Sequence, residues 1–386
     1  MLNIDNIHTK SIKQSNRSKI LNLVYKNRDI TKQEIAKVLN LSIPTVISNV
    51  NLLIEEGILE ESGVAASTGG RKPVIVRLVK DSKYSFGVDI SPDETRIILT
   101  NLYAEIKADV AFNHLGLKNI NDIMGRVEVK INDILDKHKI PKESILGIGF
   151  SLPGIVNEEL LYLENAPNIG IKDVNFSVFQ KRLGIKIYIE NDGNTAALAE
   201  SVIGIAKSKS NLVYLQITEG IGAGIVINGH LYRGQNKKAG EIGHMRISDE
   251  GLICNCGRTG CWELYASEKA LLRIYNDRAD SKVQDLEGLF EKYFESDKLA
   301  KDSVNRYLDH LVIGIQNIIL AFAPEYVIIG GKISCYEDVL LEPLTKRVLQ
   351  ESIFLDRYNT QIIFSRLKQN ASILGSALLP LKELFK

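Results

Sequence analysis

Apolar residues recur at helical spacing near the start of the chain. Residues 17–26 carry theirs on one face, and two short segments that follow do the same. The first of these segments begins after Thr31 and the second after Ser42, and both residues are good N-caps. The apolar positions expected to face inward are Ile20, Leu21, Val24 and Tyr25, then Ile35, Ala36, Val38 and Leu39, then Val46, Ile47, Val50, Leu53 and Ile54. The pattern predicts three short helices.

Local signals indicate where these helices start and stop. Glu34 lies three residues after Thr31, which is the spacing of a capping box. Gly57 suits the end of the third helix. Two strand-like stretches, 58–61 and 74–79, then flank a polar loop. Three helices followed by a two-stranded ribbon predict a winged helix-turn-helix, and the alternative is a three-helix module for packing or dimerisation.

A winged helix-turn-helix would present short polar side chains at the start of its third helix. The candidates for contacts with base edges or phosphates are Ser42, Thr45, Ser48 and Asn49, which we expect to be exposed. Lys32 and Lys37 could contact the phosphate backbone. These contacts would make double-stranded DNA the partner of this part of the chain.

The loop at 67–73 reads Ser-Thr-Gly-Gly-Arg-Lys-Pro and places Arg71 and Lys72 on a backbone with few bulky side chains. Such a segment can enter a narrow minor groove, where A·T-rich DNA has a strong negative potential. The alternative is an ordinary linker. Directly after a winged helix, we interpret it as a DNA-binding wing.

Charge supports a division of the chain into two parts. Residues 1–80 contain 12 Lys or Arg and 7 Asp or Glu, a net charge of +5, whereas the remainder contains 36 and 40, a net charge of −4. The 386 residues are also more than one hydrophobic core usually holds, so we expect two or three domains. A small basic head is therefore expected to precede a mildly acidic body.

The body alternates between strand-like and helical patterns. The predicted strands are 86–90, 145–151, 185–190, 212–218, 224–228 and 326–329, and the predicted helices are 119–138, 193–205, 267–275 and 304–321. Alternation of this kind predicts an α/β fold with open sheets. No apolar run reaches the roughly 18 residues that span a bilayer, and the first 16 residues are polar. We expect a cytoplasmic protein.

Three of the four cysteines crowd together. Cys254, Cys256 and Cys261 lie within eight residues, and His244 precedes them by ten. Three thiolates and one imidazole form a ligand set for tetrahedral zinc, and four protein ligands would leave no position for a reactive water. We therefore predict a structural zinc site. The alternative is three buried, inert thiols near an unrelated histidine. Cys335 stands alone and is expected to pack in a core.

Several motifs of the body resemble the signature of the ROK family of sugar kinases and repressors. They are Gly-Glu-Ile-Gly-His at 240–244, Cys-Asn-Cys-Gly-Arg-Thr-Gly-Cys-Trp-Glu at 254–263, Glu-Asn-Asp at 190–192, the glycine-rich stretch 218–224 and Ile-Gly-Gly at 329–331. The head resembles the repressor branch, and residues 261–272 are similar to those of xylose repressors of Gram-positive bacteria. The resemblance implies a winged helix-turn-helix domain at 1–80 and an actin-like, two-lobed sugar-binding body at 81–386.

The resemblance also implies a monosaccharide between the lobes. The residues that would surround it are Asn191, Asp192, Glu241, His244 and Glu263, with Asn165 or Asn168 helping. Sugar hydroxyls both donate and accept hydrogen bonds, so carboxylates and amides on rigid elements suit them. His244 would bind zinc through one nitrogen and the sugar through the other. Without the family pattern, we would interpret Glu263 as a solvated surface charge.

In kinases of this fold the residue at Asp192 would be the general base for phosphoryl transfer. Here the phosphate-binding loops depart from the kinase pattern. The family's Asp-x-Gly-Gly-Thr is replaced by 89–95, where Pro92 and the carboxylates of Asp93 and Glu94 follow Asp89, and Glu219 stands in the second loop. A proline lacks an N–H, and carboxylates repel phosphate. We therefore expect no catalytic residue, with Asp192 as a vestigial base.

These observations favour a transcriptional repressor that binds operator DNA as a homodimer or higher oligomer and is released by a monosaccharide inducer. The inducer could be xylose, glucose or an amino sugar, because the same acids serve each of them. The alternative is a sugar kinase with an accessory DNA-binding head. A third hypothesis, a zinc-stabilised scaffold without a ligand, leaves the sugar-type acids near Asn191 and Glu241 unexplained.

Overall fold

The computed structural model describes residues 4–64, 74–117, 119–207, 209–349 and 360–385, with side chains described from residue 15 onward. The predicted wing contacts Arg71 and Lys72 lie outside the described residues.

The head contains three helices and a three-stranded sheet. Its elements are α1 (Ile4–Asn27), β1 (Ile30–Thr31), α2 (Lys32–Leu39), α3 (Ile43–Glu55), β2 (Leu59–Val64) and β3 (Val74–Leu78). The strands lie in the order β1-β3-β2 and all pair antiparallel. The three predicted helices and both ribbon strands are confirmed. Helix α1 is longer than predicted, and the short strand β1 was not foreseen.

The caps of the head follow the sequence signals. The Thr31 hydroxyl accepts from the backbone N–H of Glu34, whose carboxylate accepts from the N–H of Thr31 in return. The Ser42 hydroxyl caps α3 by accepting from the N–H of Thr45. Gly57 has a φ of +70°, which suits a residue without a Cβ after the end of α3.

The apolar stripes of the head are buried with two exceptions. Residues such as Ile20, Ile35 and Val46 are fully buried, as expected. Val38 is 61% exposed and Ile47 is 39% exposed, so the prediction that these two face inward is wrong. Both side chains lie outside the head's core, and no element in the part of the chain that the structure describes covers them.

The first lobe of the body is a mixed sheet with two helices. The strands β4 (Tyr84–Ile90), β5 (Glu94–Asn101), β6 (Ile106–Asn113), β7 (Ile145–Leu152) and β11 (Ile187–Asn191) lie in the order β11-β7-β4-β5-β6. Helices α4 (Ile120–His138) and α5 (Ser177–Leu183) accompany this sheet. A small antiparallel sheet of β8 (Ile155–Asn157), β9 (Tyr162–Ala166) and β10 (Ile171–Asn175) shares the same hydrophobic core.

The second lobe repeats this plan with a five-stranded sheet of its own. Its strands are β12 (Leu212–Ile217), β13 (Ile221–Ile227), β14 (His230–Leu231), β15 (Tyr326–Gly330) and β16 (Gln361–Phe364), in the order β14-β13-β12-β15-β16. Its helices are α7 (Glu263–Ala266), α8 (Glu268–Asn276), α9 (Leu286–Phe294), α10 (Lys298–Phe322) and α11 (Glu337–Val348). The strands and helices predicted for the body are all found, within a few residues of their predicted bounds.

Two helices join the lobes. Helix α6 (Asp192–Val202) packs on β12 and β13, whereas α12 (Ala371–Leu384) packs on β4 and β7, and the two helices pack against each other. Their approach is very close, since a Cβ on Gly375 would lie 1.8 Å from the carbonyl oxygen of Thr195. The start of α6 is thereby held between the two lobes.

Trp262 anchors the segment that contains the cysteines. Its side chain is fully buried, and its indole N–H donates to the carbonyl of His310 in α10 at 2.9 Å. Gly314, one turn further along α10, leaves room for the ring, because a Cβ there would lie 2.0 Å from an indole carbon. The cysteine segment is thus tied to the longest helix of the second lobe.

The head contacts the body through aliphatic and aromatic side chains. Tyr25 of α1 stacks on Tyr103 with a centroid distance of 5.5 Å and meets Phe385 edge-on at 5.2 Å. The Asn22 amide donates to the carbonyl of Phe385 at 2.8 Å. Arg28 lies over the Tyr103 ring at 4.9 Å. One hydrophobic cluster therefore runs from the head into the first lobe and α12.

Within the described residues, no single helix is long and apolar enough to cross a membrane. Helices α2 and α3 together meet the length and composition test as a pair bent by 120°.

Candidate functional site

The cleft between the lobes begins where β11 ends and α6 starts. Asn191 is the N-cap of α6, and its amide oxygen accepts from the N–H of Asn194 at 3.2 Å. The Asn191 amide nitrogen donates to the carbonyl of Gly154 at 3.0 Å. The side chain is only partly buried. The hydrogen bonds of the helix cap therefore hold the Asn191 side chain at the rim of the cleft.

Asp192 follows in the first turn of α6. One of its carboxylate oxygens accepts from the N–H of Gly193 at 2.9 Å. Burial raises the pKa of Asp192 to about 7, and the negative charge of Asp89 adds to this effect. Gly222 of β13 faces the same carboxylate, since a Cβ there would lie 3.8 Å from it. Asp192 is thus a carboxyl group with space opposite it for a small polar ligand.

The second lobe contributes Glu241, His244 and Glu263 to the same region. A short 3₁₀ turn, Ile242–His244, places Nε2 of His244 3.7 Å from the Glu241 carboxylate. Nδ1 of His244 lies 3.3 Å from Glu263, which begins α7. Burial raises the pKa of Glu241, and its neighbour His244 partly offsets this. The structure therefore brings these three predicted residues together.

His244 and the three clustered cysteines converge as predicted. Their ligand atoms all lie within 4.8 Å of one another. Nδ1 of His244 is 3.5 Å from Sγ of Cys254, and Sγ of Cys256 is 3.5 Å from Sγ of Cys261. With zinc–sulfur bonds of about 2.3 Å, thiolates on a tetrahedron lie about 3.8 Å apart, so the donor set fits a zinc ion. Cys335, which was expected to pack in a core, is exposed.

The thiols of this cluster differ in acidity. Burial raises the pKa of Cys254 and of Cys261. Burial also acts to raise the pKa of Cys256, but donors from the Arg258 backbone and the neighbouring thiols outweigh it and lower the pKa to about 7. A metal ion binds thiolates, so binding here would release protons.

His244 has its two ring nitrogens on different partners. Nδ1 faces Cys254 and Glu263, on the side of the sulfur cluster, whereas Nε2 faces Glu241. A ligand set that uses Nδ1 would leave Nε2 directed to the cleft. The double assignment of His244, a metal on one nitrogen and a sugar on the other, stays a prediction.

Asn165 and Asn168 lie on the small sheet of the first lobe. Asn165 is in β9 and Asn168 is in the 3₁₀ turn Pro167–Ile169, and both are exposed. The Asn165 backbone touches Gly154, whose carbonyl accepts from Asn191. The structure thus places the loop next to the cleft residues, with both amides open to solvent.

The first predicted phosphate loop is a tight hairpin between β4 and β5. The N–H of Ser91 donates to the carbonyl of Glu94 at 3.0 Å, and the next residue, Pro92, has no N–H. The N–H of Ser91 is therefore used within the turn, and Pro92 offers none to a phosphate. Asp93 and Glu94 are both exposed there.

The carboxyl group of Glu268 lies at the Gly330-Gly331 turn. Glu268 accepts from the N–H of Ile333 at 3.1 Å, and burial raises its pKa to about 7. Glu219 adds negative charge nearby. Lys332 is a nearby cation, and each of these carboxyl groups repels a polyphosphate when it is ionised.

The candidate DNA-binding surface differs from the sequence prediction in two places. Asn49 is 5% exposed, and its amide donates to the carbonyl of Thr45, so the expectation that it is exposed for base contacts is wrong. Lys32 pairs with Glu61 at 2.7 Å and is only 17% exposed, so it is not a free cation. Ser48 and Lys37 are exposed as expected.

Sequence reasoning missed two apolar residues on the same surface. Ile43 is 41% exposed and Ile47 is 39% exposed, one turn apart on α3 next to Ser48. These two side chains therefore share the face of α3 that carries the candidate polar contacts. Their spacing of four residues was a usable signal, but it also fitted the stripe assigned to the core.

A winged head on a two-lobed α/β body, with a polar cleft beside a Cys3His cluster, defines a DNA-binding relative of the sugar kinases. Residues 85–383 match the model of the ROK family, and residues 14–60 match that of the winged helix-turn-helix DNA-binding family. The chain belongs to the ROK family. The predicted combination of a winged helix-turn-helix with an actin-like body is confirmed.

The relatives include regulators and kinases. The xylose repressor of Caldicellulosiruptor bescii is 32% identical over 381 residues, which cover 94% of each chain. A ROK family transcriptional regulator, a homolog of the E. coli MLC protein, shares the fold with a TM-score of 0.84 at 24% identity over 97% of each chain. A ROK glucokinase from Streptomyces griseus, crystallised with glucose and AMPPNP, has a TM-score of 0.68 at 25% identity over 77% of this chain and 98% of its own.

Proposed function

We propose that this protein is a sugar-responsive transcriptional repressor that controls genes for the use of xylose or a related sugar. The main support is a contrast within the cleft. Polar residues suited to bind hydroxyl groups lie beside Asp192, whereas the loop expected to bind phosphate forms hydrogen bonds within residues 91–94. The presence of a DNA-binding head and the 32% identity to a xylose repressor support the same function. The protein would act in the cytoplasm, where operator DNA lies.

In this proposal the monosaccharide binds between the lobes. Asn191 and Asp192 would contact it from the start of α6, and Glu241, His244 and Glu263 from the second lobe. Asn165 or Asn168 would complete the contacts from the loop of the small sheet. Carboxylates accept from sugar hydroxyls and amides both donate and accept, so a sugar lacking one hydroxyl would leave a polar partner unsatisfied. Contacts from both lobes would favour a closed body when the sugar is bound.

The Cys3His cluster would hold one structural zinc ion in this proposal. Its ligands are His244, Cys254, Cys256 and Cys261, and a closed shell leaves it without a catalytic role. The metal would fix the orientation of the His244 ring, and through it the nitrogen that faces the cleft. Zinc would thereby affect sugar binding only by positioning the His244 ring.

Elemental analysis tests the metal. We expect about one zinc ion per chain, and less than about 0.2 equivalents in folded protein would count against the site. Cys256→Ser should weaken sugar binding, because loss of a metal ligand would loosen the segment that carries His244. The exposed Cys335→Ser is the matched control and should bind metal and sugar as the wild type does.

The head, proposed to span residues 1–80, would bind operator DNA through α3. Ser42, Thr45 and Ser48 are the proposed polar contacts, together with the apolar Ile43 and Ile47. Lys37 would contact the phosphate backbone, and Arg71 and Lys72 would do so from the wing, whereas Lys32 would first have to leave Glu61. A homodimer would place two heads on a palindromic operator, because one head reads only a few base pairs.

A sugar kinase with an accessory DNA-binding head is the weaker alternative. It would require ATP phosphates beside Glu219, Glu268 and the turn at Pro92, where backbone donors are missing and the charge is negative. Asp192 is present, but without a bound γ-phosphate the sugar hydroxyl that it would deprotonate has no phosphoryl group to attack. We therefore assign no catalytic residue.

A thermal-shift panel of monosaccharides tests the proposed function. A ligand at about 100 times its Kd adds roughly 2.7 kcal/mol of stability, so the inducer should raise Tm clearly. The same sugar should then release the protein from DNA selected from a random library. Phosphorylation of a hexose or pentose near 1 per second, about the low end for kinases, would instead establish the alternative.

A further inference from the structure

Four ion pairs cross from one lobe to the other beside the cleft. We propose that Arg233 and Lys237 form an ionic clasp that closes the body over its sugar, and that Arg233 also positions Asn191 through Glu190. The proposal rests on the proposed function, because it assigns the residues that hold the sugar-bound state. None of these three charged residues belongs to the candidate sugar or metal ligands described above.

The cationic half of the clasp is fixed to the second lobe. Arg233 and Lys237 lie in the segment that follows β14. The N–H of Tyr232 donates to the carbonyl of Ile225 in β13 at 2.7 Å, and the N–H of Ala239 donates to the carbonyl of Arg233 at 3.1 Å. Both cations therefore move with the second lobe.

The buried half of the clasp is Glu190 of the first lobe. It lies in β11 directly before Asn191 and is 2% exposed. Nε of Arg233 lies 2.8 Å from one oxygen of this carboxylate. The other oxygen accepts from the Asn194 amide at 3.0 Å and from the N–H of Asn191 at 3.1 Å. One carboxylate thus connects a cation of the second lobe with the capping residues of α6.

The outer half of the clasp is Glu158 and Glu159, in the connection between β8 and β9 of the first lobe. Nζ of Lys237 lies 2.7 Å from Glu158 and 2.9 Å from Glu159. Nε of Arg233 lies 3.3 Å from Glu158, so the two cations share this acid. The same hairpin continues into Asn165, one of the proposed sugar contacts.

This charge arrangement links closure to ionic strength. The outer pairs are partly exposed, since Lys237 is 21% and Glu159 is 75% accessible, and such pairs are screened by salt. The inner pair contains the buried Glu190, which would be left as an unpaired charge whenever the lobes separate. The clasp therefore favours closure, and the exposed pairs make that preference adjustable.

Lys237→Met is the first test, since it keeps the apolar stem and removes the charge at a partly exposed position. D-Xylose is the probe, with D-glucose in its place if the wild type responds only to glucose. We expect Kd to rise five- to tenfold in Lys237→Met, with operator affinity within twofold of the wild type. Raising NaCl from 50 to 500 mM should weaken sugar binding in the wild type and have little effect in the variant. Lys292→Met, which breaks an ion pair with Glu295 inside the second lobe, is the matched control and should behave as the wild type does.

Arg233→Met tests the inner pair and risks misfolding, so Arg233→Met combined with Glu190→Gln provides a folded comparison without a buried charge. We expect the double variant to lose sugar affinity at least tenfold. Hydrogen exchange of residues 155–165 should become faster in it and in Lys237→Met without any sugar present.

Unchanged sugar affinity with unchanged salt dependence in Lys237→Met would overturn the clasp even if the wild type responds to sugar. A wild type that binds no sugar would contradict the proposed function instead. In that case the hydrogen exchange of residues 155–165 still tests whether these ion pairs hold the lobes together. Exchange rates equal to those of the wild type in both variants would reject the ionic clasp.

Discussion

The contact between head and body differs in chemistry from the ion pairs that cross the cleft beside the helices joining the two lobes. Aromatic rings of Tyr25, Tyr103 and Phe385 join the head to the body, whereas Arg233 and Glu190 face each other across the cleft. Apolar contacts depend little on salt or pH, and ion pairs depend on both. The comparison indicates that salt should act more on the ion pairs across the cleft than on the contact that attaches the head to the body.

The largest expected effect tests the cleft side of this comparison. Asp192→Ala removes a hydroxyl partner and should weaken sugar binding about 100-fold or more, while operator binding stays intact. Titration of sugar into the protein–DNA complex would then show no release. A variant that lost DNA binding but still responded to sugar would contradict the division into a DNA-binding head and a sugar-binding body.

The head contact gives the next largest effect. Tyr25→Ala removes a stacked ring and an edge contact, and we expect it to weaken docking of the head by about 2 to 3 kcal/mol. Faster hydrogen exchange in α1 would report this loss, and it should be the same at 50 and 500 mM NaCl. Phe294→Ala, at a 66% exposed position on α9, is the control and should leave α1 unchanged. If the exchange of α1 in this variant depended strongly on the NaCl concentration, the contrast between the head contact and the ion pairs of the cleft would be wrong.

The pH dependence of sugar binding should follow Asp192. Its pKa of about 7 is raised, so the carboxyl is mostly protonated at pH 6 and mostly ionised at pH 8. The ionised form accepts from sugar hydroxyls, and we therefore expect affinity to rise about tenfold from pH 6 to pH 8. Calorimetry at both pH values, with metal content checked, measures this. Affinity that falls with rising pH would show that the protonated form binds the sugar.

The smallest expected effect belongs to the exposed apolar face of α3. If Ile47 touches a thymine methyl group, Ile47→Ala should weaken binding to a selected operator about fivefold, or roughly 1 kcal/mol. Replacing the contacted thymine by deoxyuridine should cost the wild type a similar amount and cost the variant nothing further. Additive losses would show that the residue and the methyl group do not meet.

Local sequence signals predicted much of the fold. The capping box of Thr31 and Glu34 and the cap at Ser42 concern residues three positions apart, so the sequence alone contains the interaction. The Cys3His cluster also lies within a short segment. The exposure of side chains was harder to predict. Ile47 has the spacing of a core residue, but it is exposed because no described element of the structure packs over it.

Interactions between distant residues were not predictable in the same way. Arg233 and Glu190 are 43 positions apart and lie on different lobes, and no period or cap connects them. Lys32 was predicted to contact the phosphate backbone, and its ion pair with Glu61, 29 positions away on the ribbon, was not foreseen. The sequence therefore predicted which elements form, but not which charges meet when those elements pack.

The burial of Trp262 has a spectroscopic consequence. It is the chain's one tryptophan, it is shielded from water, and it lies between Cys261 and Glu263, which are candidates for metal and sugar binding. The unlabelled protein therefore has an intrinsic fluorophore at the junction of the two candidate sites. Its emission reports the local environment at that one position, so metal removal and sugar addition can each be followed by light without a tag.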